Sequence, residues 1–247
     1  MPTRVSLLIC VPVVLALVGC SSGGAAPTEP PVAEESAASE QALPECEGFL
    51  FDEGEQLSGD LIASCISATM LAHNFGKMTT ESNVLDGVTS FRYQPDFAAS
   101  VDMSGETRLL IEGDEMWFKD DLGWVKAVDD ASQPRAHLAY SVASTFRAMS
   151  DPRAAVDMIS TAPVWNIVGG DEVEIVDGNT RAAWKFTAAA PFTYLGVQFS
   201  ELSFWLDNSY TTLQQQAVSS ALGVTATTLN RYYDWGVEEE FVVPPAP

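Results

Sequence analysis

The sequence predicts an α+β fold built on an antiparallel sheet, and three observations carry this. Apolar periodicity runs helix, strands, two central helices, strands, without the regular strand–helix alternation of a parallel sheet. The strand segments are short and bounded by Gly, Pro, Asp and Asn turns. Several of them, such as Leu109-Leu110-Ile111 and Met116-Trp117-Phe118, carry large apolar residues on both faces. A sheet with one wet face does not read this way. Helices can cover one face; a second layer or a ligand must meet the other.

The first helix is predicted over residues 60–77. Leu61, Ile62, Cys65, Ile66, Thr69, Met70 and Ala72 follow three- and four-residue spacing, Ser58 or Asp60 can cap it, and Gly76 suits its end. From Thr79 the pattern turns to strands, at 84–93 and 97–103. The clearest hairpin joins 106–112 to 115–119 through Gly113-Asp114, and 121–123 turn into a further strand from Trp124. Residues 134–150 are helical in pattern, with Leu138, Val142, Phe146 and Met149 on one stripe. Asp151 caps the next helix, with Pro152 at its first position, Val156 and Ile159 buried and Pro163 as its stop.

The second block of strands begins with 164–168, Gly169-Gly170 and 172–176. Asp177-Gly178-Asn179 turns the chain into 180–188. There Ala182, Trp184 and Phe186 alternate with Arg181, Ala183 and Lys185. Strand 200–206 sets Leu202, Phe204 and Leu206 against Glu201, Ser203 and Trp205. Segments 209–218, 225–234 and 237–243 finish the sheet before Pro244-Pro245.

The N-terminus carries the sharpest signal. An apolar run over residues 5–18 follows Arg4; it suits a signal-peptide core and is too short to span a bilayer. It closes on Leu17-Val18-Gly19-Cys20, which resembles a bacterial lipobox. That resemblance implies cleavage before Cys20, diacylglycerol on its sulfur and N-acylation. Residues 1–19 are then the signal peptide. Residues 20–45, rich in Ser, Gly, Ala, Pro and Glu, form the acylated N-terminus and a disordered tether. Residues 46–247 form one domain with a core of ordinary size. The expected location is the extracytoplasmic face of the cell membrane, reached through the acyl chains.

Charge narrows the partners. Twelve basic against 34 acidic residues give a net charge of −22. Such a chain repels phosphate backbones and anionic headgroups, which excludes nucleic acid and broad electrostatic docking to a membrane. Asp120-Asp121 and Asp129-Asp130 lack the spacing of a calcium loop, and no metal or cofactor site is expected.

Of the four cysteines, Cys10 leaves with the signal peptide and Cys20 takes the lipid. Cys46 and Cys65 remain as an even pair in an oxidising compartment, which favours a disulfide. The competing reading, a reactive or metal-binding pair, lacks CxxC spacing and has only His73 near it in sequence.

No catalytic motif is present: no GxSxG, HExxH, SxxK or glycine-rich phosphate loop. His73 and His137 could each act as a general base, but a lone helical histidine is commonly a packing or surface residue. The reading is therefore of a protein that is not an enzyme. The aromatic residues, six Trp, six Tyr and twelve Phe, concentrate in the strands. They form either an ordinary covered core or the lining of a cavity for acyl chains, where burial yields ~0.8 kcal/mol per methylene. Candidate lining residues are Leu109, Ile111, Trp117, Phe118, Leu138, Val142, Phe146, Trp184, Phe186 and Phe204.

The hairpin "TRLLIEGDEMWFKDDLGWVKA", the second-block hairpin "VEIVDGNTRAAWKFTA", the strand "SFWLDNSY" and the ending "NRYYDWGVEEEFVVPPAP" resemble exported lipid-binding lipoproteins of actinobacteria. These are the mycobacterial half-barrel lipoproteins, related in shape to the lipoprotein carrier LolA. The resemblance implies a curved, unclosed antiparallel sheet with helices on its concave face and an apolar cavity between them. It also implies a protein that binds or shuttles a lipid or lipidated molecule. The central helices at 134–161, whose loops carry Pro and Asp-Pro breaks, are a candidate gate. The alternative on the same fold is an envelope sensor or scaffold that binds a protein partner. The acidity and the Cys46/Cys65 pair depart from the family pattern.

Overall fold

The computed structural model describes residues 43–244 except Leu85, Gly105, Asp177 and Leu222, so Cys20, the expected signal peptide and nearly all of the expected tether lie outside the described residues. After a 3-10 turn at Pro44–Cys46 come β1 (Gln56–Ser58), α1 (Gly59–His73), β2 (Phe75–Ser82), β3 (Gly87–Arg92), β4 (Ala98–Met103), β5 (Arg108–Glu112), β6 (Glu115–Asp120) and β7 (Gly123–Lys126). The central helices are α2 (Pro134–Ser150) and α3 (Pro152–Ser160). The second block holds β8 (Val164–Glu174), β9 (Thr180–Ala188), β10 (Phe192–Tyr194), β11 (Val197–Leu206), β12 (Thr212–Ala221) and β13 (Val224–Tyr233). No helix among the described residues is long and apolar enough to cross a membrane.

The fold is α+β, as expected. One 13-stranded sheet runs β1-β8-β9-β11-β12-β13-β2-β3-β4-β5-β6-β7, with β10 added beside β11. Every pairing is antiparallel. The sheet is curved and does not close: β1 and β7 are its ends, and the helices lie on its concave face. Two local meanders, one on each side of the helices in sequence, are stitched together by β13 and β2, with Asn230 opposite Thr80 and Tyr232 opposite Met78.

The concave face carries two apolar clusters. Ile62, Cys65 and Ile66 of α1 and Met158 and Ile159 of α3 pack onto Trp165, Ile167, Phe186, Leu202 and Phe204. Under α2, Ala143 meets Phe91, Tyr93, Phe97, Leu109, Ile111 and Met116. Met70 of α1 touches both clusters.

Small residues set how closely the helices seat. Gly59 opens α1 against the end of α3, where an added Cβ would lie 2.1 Å from the Ala162 carbonyl oxygen. Its N–H donates to the Pro163 carbonyl at 3.0 Å. Arginines fasten α2: Arg135 donates to the Asp120 carboxylate at 2.5 and 3.0 Å, and Arg147 donates to the Gly113 carbonyl at 2.9 Å.

The expected disulfide is present between Cys46 and Cys65, 19 residues apart. It ties the 3-10 turn to α1 and fixes the segment that follows. Phe49 then reaches Phe186, 5.1 Å between ring centroids, and Phe51 reaches Trp184 at 5.7 Å and stacks on Tyr210 at 5.3 Å. Edge-to-face and offset contacts of this kind add to the burial of the rings themselves.

The sequence reading does not assign β1, β2 or β10 as strands, and boundaries elsewhere differ from it as well. Helix α1 ends at His73 because Asn74 takes φ +63° and its N–H still bonds the Met70 carbonyl. Gly76 therefore lies in a strand, beneath the Trp235 ring, where a Cβ would come within 2.8 Å. Strand β8 is continuous across Gly169, which at φ +131° forms a bulge opposite β9 and resets the alternation. Residues 237–243 are not a strand, since β2 already occupies the edge of β13 that they would need. They lie against the convex face instead, with Glu239 3.3 Å from Lys77 and the Phe241 ring 5.6 Å from the Arg92 guanidinium.

Against expectation, neither a second layer nor a ligand pocket covers the convex face among the described residues; that segment and long side chains cover it in part. Lys126 crosses the Trp117 ring and Lys185 crosses Trp205, 5.6 and 4.8 Å from the ring centroids.

Two stability measurements follow. Replacing Cys46 and Cys65 by Ala should lower unfolding stability by about 3 kcal/mol in denaturant titrations, the loop-closure value for a bridge of this span; an unchanged midpoint would contradict it. Gly59→Ala should cost about 1–3 kcal/mol by overpacking the α1–α3 contact, and a neutral result would mean that the helices are free to part there.

Candidate functional site

A cavity of about 260 Å³ lies over the seam between β13 and β2. Its roof is α1 (Ala63, Ile66, Met70), the end of α2 (Phe146, Met149) and α3 (Val156, Ile159). Its floor is the concave face of β2, β3, β11, β12 and β13. The roof is held by its own polar contacts. Ser67 Oγ of α1 donates to the Pro152 carbonyl at 3.1 Å, and Asp151 caps α3 by accepting from the Arg153 N–H at 3.1 Å.

A polar row crosses the floor. Gln215, Asn230 and Thr80 sit directly opposite one another on three adjacent strands. Thr80 Oγ1 donates to Asn230 Oδ1 at 2.9 Å, and Asn230 Nδ2 donates to Gln215 Oε1 at 3.2 Å. The same Gln215 oxygen accepts from the Tyr232 hydroxyl at 3.0 Å. Among the described residues the lining contains no Asp, Glu, Lys, Arg or His, although 19% of the chain is charged.

The wall also holds Tyr93, a fully buried residue whose hydroxyl has no hydrogen-bond partner. Burial first, then the neighbouring Tyr232 and Asp151, push its phenol well above the usual range. Burial alone raises that of Tyr232. Thr212 Oγ1 is a second buried lining atom without a partner.

The residues nominated from sequence divide sharply. Phe146 and Phe204 line the cavity. Leu109, Ile111 and Phe118 belong to the second cluster beneath α2, away from the cavity walls. Trp184 and Phe186 are also outside the lining, because Phe49 and Phe51 pack on them. Trp117 pairs with Leu110 and Lys126 and faces the convex side under the Lys126 stem. Leu138 is 60% exposed, and Val142 is half-buried outside the lining. Helix α2 turns Ala136, Ala139 and Ala143 inward, the row that permits close seating on the sheet, and of the expected stripe only Phe146 and Met149, at its C-terminal end, reach the cavity.

The polar row went unseen in the sequence. Its signal is the period-two set Thr228, Asn230, Tyr232 opposite Gln215, Ala217, Ser219. It is masked by polar residues at the intervening positions Gln214, Gln216, Thr227 and Arg231. The histidines sit apart from the cavity. His73 Nε2 lies 3.1 Å from Thr211 Oγ1 with its ring beside Trp235, and His137 Nδ1 lies 3.3 Å from Asp129.

No family model matches the chain, and no curated protein matches it. Among solved structures, the crystal structure of LprF from Mycobacterium bovis is similar with a TM-score of 0.47 and 13% sequence identity, over 76% of this chain and 97% of that one.

The tyrosines give a pH prediction. A phenol pKa raised by folding adds stability below the unfolded value of about 10 that is lost as pH rises past it. Denaturant midpoints should therefore fall between about pH 9 and pH 11, and Tyr93→Phe should flatten that fall. At neutral pH the same variant should gain about 1 kcal/mol, because it removes a buried unpaired hydroxyl. Parallel pH curves and a less stable variant would contradict both.

Proposed function

We propose that this protein is a cell-envelope lipoprotein, anchored by acyl chains on Cys20, that binds or shuttles a lipid or lipid-linked molecule at the extracytoplasmic face of the membrane. The observation that carries the reading is the apolar cavity between the three helices and the sheet, its walls free of charged side chains. A chain with about ten buried methylenes would gain ~8 kcal/mol, enough for micromolar retention before the costs of association. Binding and release need no covalent step.

The gate is the joint between α2 and α3. Arginines fasten α2 to the β5–β7 end of the sheet, whereas α3 is bonded to α1 through Ser67. Between them Met149 and Ser150 line the cavity. Parting the two helices there opens the roof without disturbing the sheet.

The test uses the full chain, exported with Cys20→Ser so that it stays free of acyl chains, and compares native mass spectra with an organic extract of the same sample. The expected result is an added mass that the extract identifies as lipid, lost in Ala155→Phe, which fills the cavity. Added lipid at a hundred times its dissociation constant should stabilise the chain by about 2.7 kcal/mol. A clean unliganded mass with no stabilisation by membrane lipids would defeat the reading.

A further inference from the structure

The binding reading leaves open what kind of head the bound chain carries, and the cavity walls address it. From the charge-free lining and the row of amides and hydroxyls on its floor, we propose that the cavity selects a single-chain amphiphile with an uncharged, hydrogen-bonding head, of the monoacylglycerol class. This inference rests on the lipid-binding reading above.

Size limits the cargo first. About 260 Å³ is just below the roughly 300–1,000 Å³ usual for ligand pockets, room for one chain rather than several. Charge limits it next. A phosphate or carboxylate carried into this space would lose its hydration and meet no Lys, Arg or His among the lining residues. An ion left in that state is strongly disfavoured. The protein's own excess of acidic residues adds repulsion on approach.

The floor supplies what a neutral head needs. Gln215 Oε1 is already occupied by Asn230 and Tyr232, so the side-chain amide group of Gln215 is left to donate to a ligand carbonyl or hydroxyl. Thr228 and Ser219 extend the row with hydroxyls that can both donate and accept. On the other side of the row Met78 and Phe91 provide an apolar bed for the chain, and Phe204, opposite Gln215, closes the end of the row.

The experiment holds the chain constant and varies the head. Monooleoylglycerol, oleate and lysophosphatidylglycerol are titrated at neutral pH against the full-length Cys20→Ser protein, read by native mass spectrometry and thermal shift. Monooleoylglycerol should bind at least about a hundredfold more tightly than either anion. Gln215→Leu should weaken monooleoylglycerol about tenfold while leaving octadecene, which has no head, unchanged. Thr80→Lys, which adds an ammonium to the row, should raise oleate binding at least about tenfold. If a variant fails to fold, the three-head series on the parent chain decides alone. Equal binding of the three heads, or tighter binding of an anion, overturns the head selection and leaves the lipid reading standing. Binding of none overturns both.

Discussion

The pairing of β13 with β2 is the constraint on which the rest of the structure depends. Apart from β1, which pairs with β8 110 positions away, each meander can form from neighbours in sequence, but neither alone buries both sides of α1. The seam joins residues about 150 positions apart, as in Thr80 with Asn230. Contacts this distant carry a large ordering cost before they yield anything, so the seam must be reinforced by what crosses it. Its reinforcement is the Gln215–Asn230–Thr80 row and, above it, Met70 of α1, which joins the two apolar clusters. The cavity lies over this seam because the clusters meet there and neither fills it.

That placement links stability to function. The helices are fastened to different parts of the sheet, α2 through arginines to the β5–β7 end and α3 through Ser67 and the Gly59 contact to α1. The joint between them, above the seam, is tied to α1 by the Ser67–Pro152 bond. A polar row in the floor of an apolar space costs little while its members bond one another. Tyr93 and Thr212 in the cavity wall carry buried oxygens without hydrogen-bond partners.

Much of the fold was legible in the sequence because local signals dominate it. The hairpin about Gly113-Asp114, helix 134–150 and the Asp151-Pro152 start all read correctly from turn and cap chemistry. The misread boundaries are places where tertiary context overrides local pattern. Asn74 turns the chain out of α1 four residues before the expected end, and residues 237–243 have strand-like composition but no free edge to join. The site was less legible. Ranking large apolar residues selected Leu109, Trp117 and Leu138, which serve the second cluster, the convex face and solvent. The cavity is lined instead by Met70, Met78, Phe91, Phe146 and Phe199 together with the polar row, a lining drawn from three helices and five strands that only the assembled seam brings together.

The central claim is that the space above the seam is a binding site rather than a packing defect. An experimental structure of the protein purified from its native envelope tests this most directly. The account predicts continuous elongated density between α1, α3 and the β12–β13–β2 floor, with its polar end within hydrogen-bond reach of Gln215 and its chain beside Met78 and Phe91. A roof collapsed onto the floor, with Met70 and Phe146 filling the space and no ligand density, would contradict it.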